Sequence, residues 1–288
     1  MSIQPTGLNG RVFVVTGANT GIGLITAEAL ANGGARVVMA NRSLERTQPA
    51  LDQIRSRHGD DAATFVPLDL TSLASVRACA QTILETEPRI DVLINNAGIA
   101  GTTGETADGF ELAFGINHLG HFLLTHLLLD RITETGTDAR IVNVSSRAHY
   151  RATSLDLDQV RGPSRTKTGL AEYQESKLAN VLFTASLAKR LEGTGVRTYA
   201  LHPGVVATEI WRSLPGPIAW IAKRFMISPE EGAQTTLYCA TSDACAAESG
   251  LYYDTCRART PSALARDTSL AEALWERSVA WCDLDATS

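Results

Sequence analysis

Short apolar runs alternate along this chain with longer stretches in which apolar residues recur at helical spacing. Residues 11–16 (RVFVVT), 36–40, 64–67, 91–94, 140–145, 196–201 and 250–253 predict strands. Between them, 23–31, 43–57, 72–84, 111–129, 171–191 and 228–241 predict helices. Gly33-Gly34 is a stop signal for the first helix, and Ser43 caps the second. At 228–231 the sequence SPEE supplies Ser228 as N-cap, Pro229 in the first turn and Glu231 to close a capping box. The strands are mostly continuous apolar runs, as expected of strands covered by helices on both faces. The expected fold is therefore α/β: one doubly wound (Rossmann-type) parallel sheet over residues 1–288, with helices on both faces and right-handed crossovers.

Two stretches break the rhythm. Residues 152–169 are polar and loop-like, and 214–227 are apolar and carry prolines. Long irregular segments in such folds often shape substrate sites. A substrate lid of about residues 209–227 is expected between the sixth strand and the SPEE helix, with Trp211, Trp220 and Phe225 lining an apolar pocket.

Composition narrows the function classes. The 288 residues are 44% hydrophobic and 20% charged, with a formal net charge of −5, so neither disorder nor nucleic-acid binding is indicated. Five cysteines without CxxC spacing give no disulfide framework or metal site and suit a reducing, cytoplasmic setting. No signal peptide is expected, and no run of transmembrane length, hence no integral membrane segment. His118, His121 and His126 fall on one helix without H-E-x-x-H spacing, so helix-surface or interface positions are expected rather than metal ligation.

Thr16–Gly23 reads TGANTGIG, directly after the first strand and before the first helix. Gly17, Gly21 and Gly23 would let the backbone turn tightly and approach a pyrophosphate, which the helix N-terminus attracts. That position makes nucleotide binding the expected role of the loop, Asn19, Thr20 and Ile22 included. The spacing is G-x-x-x-G-x-G, not G-x-G-x-x-G.

With RIVNVSSRAH (140–149), SKLANVLF (176–183) and SPEEGAQTTLYCA (228–240), this loop resembles the short-chain dehydrogenase/reductase family, over about residues 10–253. The resemblance is nearest to its retinol dehydrogenase-like and carbonyl-reducing members. It implies an NAD(P)-dependent oxidoreductase acting on a small carbonyl or alcohol, with hydrophobic substrates suggested.

The second strand ends in Ala40-Asn41-Arg42. An acidic residue there would bind a ribose 2′-hydroxyl and favour NAD. Asn41 takes that place, and the Arg42 guanidinium can pair with a 2′-phosphate, which favours NADP(H). The resemblance assigns Asp69, with Leu70, to the adenine ring and Asn95 to holding the central strands together. Ala97 and Gly98 would let the backbone pass close to the cofactor. By the same resemblance, the backbone near Val206 and the Thr208 hydroxyl, after His202-Pro203-Gly204, would meet the nicotinamide carboxamide.

Tyr173 and Lys177 stand at i and i+4, on one helix face. Lys177 could lower the phenol's pKa and hydrogen-bond the cofactor ribose, making Tyr173 a general acid. Ser145 and Ser146 end the fifth strand, where such sheets place ligands. Members of the family use the second serine, which makes Ser146 the expected partner of the developing alkoxide and Ser145 the fallback. Asn117, in GINHLGHF (115–122), corresponds to a catalytic asparagine at a helix kink that holds a water in a proton relay. The rival readings are a sugar-nucleotide epimerase-like enzyme and a non-catalytic NADP-binding regulator. The first is disfavoured by the glycine spacing, the second by the full set Asn117, Ser146, Tyr173 and Lys177. A homodimer or homotetramer through the two long helices is also expected.

Overall fold

The computed structural model describes residues 3–136, 138–204 and 228–284. Strands β1 (Val12–Thr16), β2 (Arg36–Asn41), β3 (Ala63–Pro67), β4 (Val92–Asn95), β5 (Arg140–Val144), β6 (Arg197–His202) and β7 (Leu251–Asp254) run parallel. The short β8 (Arg257–Arg259) pairs with β7 antiparallel, so the sheet is mostly rather than wholly parallel. The strand order is β3-β2-β1-β4-β5-β6-β7-β8. The order reverses between β1 and β4, and a doubly wound sheet opens its ligand crevice at that reversal.

The helices are α1 (Gly21–Asn32), α2 (Leu44–His58), α3 (Leu73–Thr86), α4 (Leu112–Glu134), α5 (Leu170–Arg190), α6 (Pro229–Thr241) and α7 (Thr268–Trp281). They cover both faces of the sheet and enclose two apolar clusters, one on each side. Helix α2 starts at the expected Ser43 cap, and α6 carries the expected capping box. Helix α7 was not expected from the sequence, although Asp267 caps it and Ala271, Leu274, Trp275 and Val279 form its buried stripe. The expected lid, with Trp211, Trp220 and Phe225, lies outside the described residues.

Two expectations about α4 need correction. The first is that no run reaches transmembrane length. Leu112–Glu134 is one helix of 23 residues with a window of mean hydropathy 1.3, long and apolar enough by length and composition to cross a membrane. In this fold 72% of that window is buried inside the molecule, between α3, α5 and the sheet. The second concerns its histidines: His118 and His121 are buried, not at the surface. His118 sits among Phe114, Phe122 and Phe183, with ring centroids 5.1, 6.1 and 5.8 Å away. Its Nε2 meets Ser278 Oγ of α7 at 3.3 Å.

Burial disfavours the charged imidazole and pushes His118 down to about 3 and His121 down to about 4. The unfolded chain then binds more protons than the folded one between those values and the usual 6.5, so stability rises with pH across that window. Full stability is present above pH 6.5 and is lost as the pH falls toward 4. Urea unfolding at pH 5 should give a free energy lower than at pH 7.5 by on the order of 2 kcal/mol per buried histidine. His118→Phe should flatten that slope; an unchanged slope would contradict the neutral burial of this ring.

Candidate active site

The glycine loop is shaped by close approach. Gly17 has φ +67°, and a Cβ there would lie 2.9 Å from the Ala97 Cα. A Cβ on Gly23 would collide with the Gly17 carbonyl oxygen and lie 2.6 Å from Asn96 Nδ2. Asn96 itself holds the loop: its Nδ2 donates to the carbonyls of Thr16 (2.8 Å) and Gly17 (3.3 Å). Its role was not read from the sequence, where it is one polar residue beside another.

The N-terminus of α1 suits an anion. Thr20 makes no side-chain capping bond, and no acidic residue lies in the first turn. The first N–H groups of the helix and the positive end of its dipole therefore face the crevice without a competing carboxylate. Gly21, at φ +57°, brings Asn19, Thr20 and Ile22 round this turn. These features fit a dinucleotide pyrophosphate.

Asn41 and Arg42 part company. The Asn41 side chain is buried; its Oδ1 accepts from Ala18 N (2.7 Å) and its Nδ2 donates to Thr47 Oγ1 (3.2 Å). It fastens the glycine loop to α2 rather than facing a ribose. Arg42 is exposed and makes no hydrogen bond or ion pair among the described residues. Asp69 stabilises its own turn, with Oδ1 accepting from Thr71 N (3.0 Å) and Thr71 Oγ1 (2.7 Å), while Leu70 packs on Gly120. Asn95 donates to Thr125 Oγ1 (2.9 Å) and to Asn143 Oδ1 (2.8 Å), tying β4 to β5 and α4.

The four expected catalytic residues converge at the C-terminal edge of β4 and β5. Helix α4 contains a π-turn at Gly115–Leu119, the kink on which Asn117 sits. Its side chain is a staple: Oδ1 accepts from Ile99 N (2.8 Å), and Nδ2 donates to Ile99 O (3.0 Å) and Ser176 Oγ (2.9 Å). Gly98 lies directly over this pair of elements, since a Cβ there would be 3.0 Å from Asn117 Oδ1 and 3.4 Å from Lys177 Nζ. Lys177 is buried, donates to the Val144 carbonyl (2.9 Å), and stands 5.8 Å from the Tyr173 ring centroid.

The two serines differ. Ser145 is buried and donates to the Lys177 carbonyl (2.6 Å), so it fixes β5 to α5. Ser146 caps the next turn by accepting from Ala148 N (3.1 Å) and lies beside the Tyr173 phenol. The structure thus favours Ser146 over Ser145 as the group free to meet a ligand. Pro203 and Gly204 follow β6, with Gly204 at φ +94°; Val206 and Thr208 lie outside the described residues.

Electrostatics differ from expectation in one respect. Burial pushes the Tyr173 phenol up, and the Ser146 hydroxyl draws it partly back down; no lowering by Lys177 is evident. The cause is geometric, because the ammonium points to Val144. Burial also brings Lys177 down to about 8. A phenol held protonated is the donor form of a general acid.

Comparison with known proteins identifies the family. The short chain dehydrogenase family matches residues 11–155. Dehydrogenase/reductase SDR family member 13 of Bos taurus is 48% identical, over 94% of this chain and 73% of that protein. Retinol dehydrogenase 11 of Homo sapiens is 45% identical, over 96% of this chain and 86% of that protein. A crystallised protein from Mycobacterium Paratuberculosis superposes with a TM-score of 0.78 at 36% identity, covering 98% of this chain and 96% of its own. The Pseudomonas aeruginosa RhlG/NADP complex superposes at 0.70 with 26% identity, covering 87% and 96%. The relatives run longer than the matched part and α4 has membrane-spanning length, so the expectation of a chain without an integral membrane segment is withdrawn. The chain belongs to the short-chain dehydrogenase/reductase family, an NAD(P)-using family of oxidoreductases, and within it is retinol dehydrogenase-like.

Proposed function

We propose that this protein is an NADP(H)-dependent oxidoreductase that interconverts a ketone or aldehyde with its alcohol, on a hydrophobic substrate. The observation that carries this reading is the convergence of Ser146, Tyr173, Lys177 and the Asn117 staple at the ends of β4 and β5, with burial holding the Tyr173 phenol protonated. When bound, NADP(H) supplies or accepts the hydride. Ser146 and Tyr173 hold the carbonyl oxygen, and negative charge developing there is stabilised by their two hydroxyls. Tyr173 gives that oxygen its proton, and the buried Lys177 ammonium lies on the side from which the phenol is resupplied. In oxidation the same proton returns to Tyr173.

Arg42 supports NADP over NAD. It is exposed at the end of β2, and no carboxylate occupies the neighbouring position, since Asn41 is neutral and turned inward. Solved relatives bear both nucleotides: RhlG is complexed with NADP, and a Brucella melitensis 3-ketoacyl-(acyl-carrier-protein) reductase with NADH. The retinol dehydrogenases among the relatives point toward an apolar aldehyde or alcohol.

Tyr173→Phe should lower turnover by about a hundredfold or more, with NADPH affinity by fluorescence titration nearly unchanged. The assay is NADPH consumption over a panel of retinal, aliphatic aldehydes, ketones and quinones; substantial turnover in the variant would overturn the assignment.

NADPH should be preferred over NADH at least about tenfold in kcat/KM, and Arg42→Ala should remove most of that preference through KM for NADPH. A wild-type preference below that size, or an unchanged preference in the variant, would reject the role of Arg42.

A further inference from the structure

His121 has both ring nitrogens engaged, and they reach two different parts of the site. Nε2 meets Thr16 Oγ1 at 2.9 Å, at the end of β1. Nδ1 meets the Asn117 carbonyl oxygen at 3.1 Å, in the π-turn of α4. The ring is buried. It is the one side chain among the described residues that hydrogen-bonds both the strand leading into the glycine loop and the backbone of Asn117.

The surroundings fix its tautomer. Thr16 Oγ1 already accepts from Asn96 N (2.9 Å) and Ala97 N (2.9 Å), which uses both of its lone pairs. Its proton is left to donate, and His121 Nε2 at 2.9 Å is a nearer acceptor than the Ile94 carbonyl at 3.5 Å. Nε2 is then unprotonated, and Nδ1 carries the hydrogen that it donates to Asn117 O. A second proton on Nε2 would face a hydroxyl with no free lone pair. That opposition acts in the same direction as burial, which already brings the ring down to about 4.

The Asn117 side chain is held by Ile99 and Ser176, while its backbone carbonyl, in the π-turn, meets the His121 ring. We infer that His121 is a positioning residue that couples the two halves of the site: its Nδ1–H fixes the Asn117 backbone in the π-turn, and so the side chain that bonds Ser176 next to Lys177, while its Nε2 holds the Thr16 hydroxyl that shapes the cofactor-side turn at Asn96 and Ala97. This inference rests on the oxidoreductase reading above, and it divides into two separable functions.

The two nitrogens can be replaced one at a time. In His121→Asn the amide Nδ2 stands near the former Nδ1 and keeps the donor to Asn117. In His121→Gln the longer amide stands near the former Nε2 and keeps an acceptor for Thr16. His121→Asn should hold kcat close to wild type while weakening NADPH binding about tenfold, one hydrogen bond's worth. His121→Gln should do the opposite, binding NADPH nearly as wild type while kcat falls about tenfold and its solvent isotope effect rises. Equal losses in both variants, tracking their melting temperatures, would mean that the ring only fills space and would overturn the inference.

NADPH titration by fluorescence needs no substrate, so the binding half is judged even if the carbonyl panel shows no turnover. Nitrogen-15 shifts of the His121 ring in the wild-type protein provide a third readout. They should report a neutral ring protonated on Nδ1 at pH 6, and an Nε2–H ring would overturn the coupling whatever the kinetics. Loss of the oxidoreductase reading appears differently, as a wild-type protein that neither binds NADPH nor consumes it.

Discussion

The site depends on how closely the end of β1 can approach the end of β4. These two strands are neighbours at the point where strand order reverses, and the turns that leave them must separate to make room for a ligand while remaining in register. The Thr16 hydroxyl resolves this by accepting from two successive N–H groups of the β4 turn, Asn96 and Ala97. Asn96 answers by donating to the Thr16 and Gly17 carbonyls. The backbones lie so near that Gly17 tolerates no Cβ against Ala97. The glycine loop is therefore bound to the strand that leads toward the catalytic side, and is not an independent anion cradle.

On the far side of β4, the proposed catalytic groups are positioned by carbonyls as much as by one another. Val144 O accepts from both Lys177 Nζ (2.9 Å) and Asn180 Nδ2 (3.2 Å), and Lys177 O accepts from Ser145. Helix α5 is thus sewn to the end of β5 before any ligand contributes. Asn117 is sewn to the Ile99 backbone in the same manner. Preorganisation of this kind spares the site reorganisation during reaction. It also explains why the motif residues look structural when inspected singly: most of their hydrogen bonds go to the scaffold.

Much of this was legible in the sequence. Continuous apolar runs such as VFVVT and RIVNV can only be strands covered on both faces, and the capping box at Ser228 fixed the start of α6. The missed elements have specific reasons. β8 is RAR, wholly exposed, and owes its pairing to β7 rather than to any apolar pattern. Helix α7 did carry a readable stripe and cap, beyond the last strand at which the β-α rhythm stops. Asn41 was placed correctly along the chain, but the direction of its side chain is a tertiary fact set by Ala18 N. His118 and His121 were expected at a helix surface or interface because their spacing excluded a metal site; their burial comes from the packing of α4 against its neighbours, a tertiary fact that spacing does not carry.

Burial then decides which proton-bearing groups are available at neutral pH. It takes charge away from His118 and His121, brings Lys177 down to about 8, and keeps the Tyr173 phenol protonated. Lys177 is thereby a neighbour of Tyr173 that still carries a proton and a charge at pH 7, 5.8 Å from the ring centroid. The same desolvation that would make an uncompensated lysine costly gives this one a pKa close enough to neutrality to exchange a proton readily. An environment built only for stability would have replaced the Lys177 ammonium with an apolar side chain of similar length. A retained ammonium beside Tyr173, held by a single carbonyl, is what the proposed proton transfer requires of this corner of the sheet.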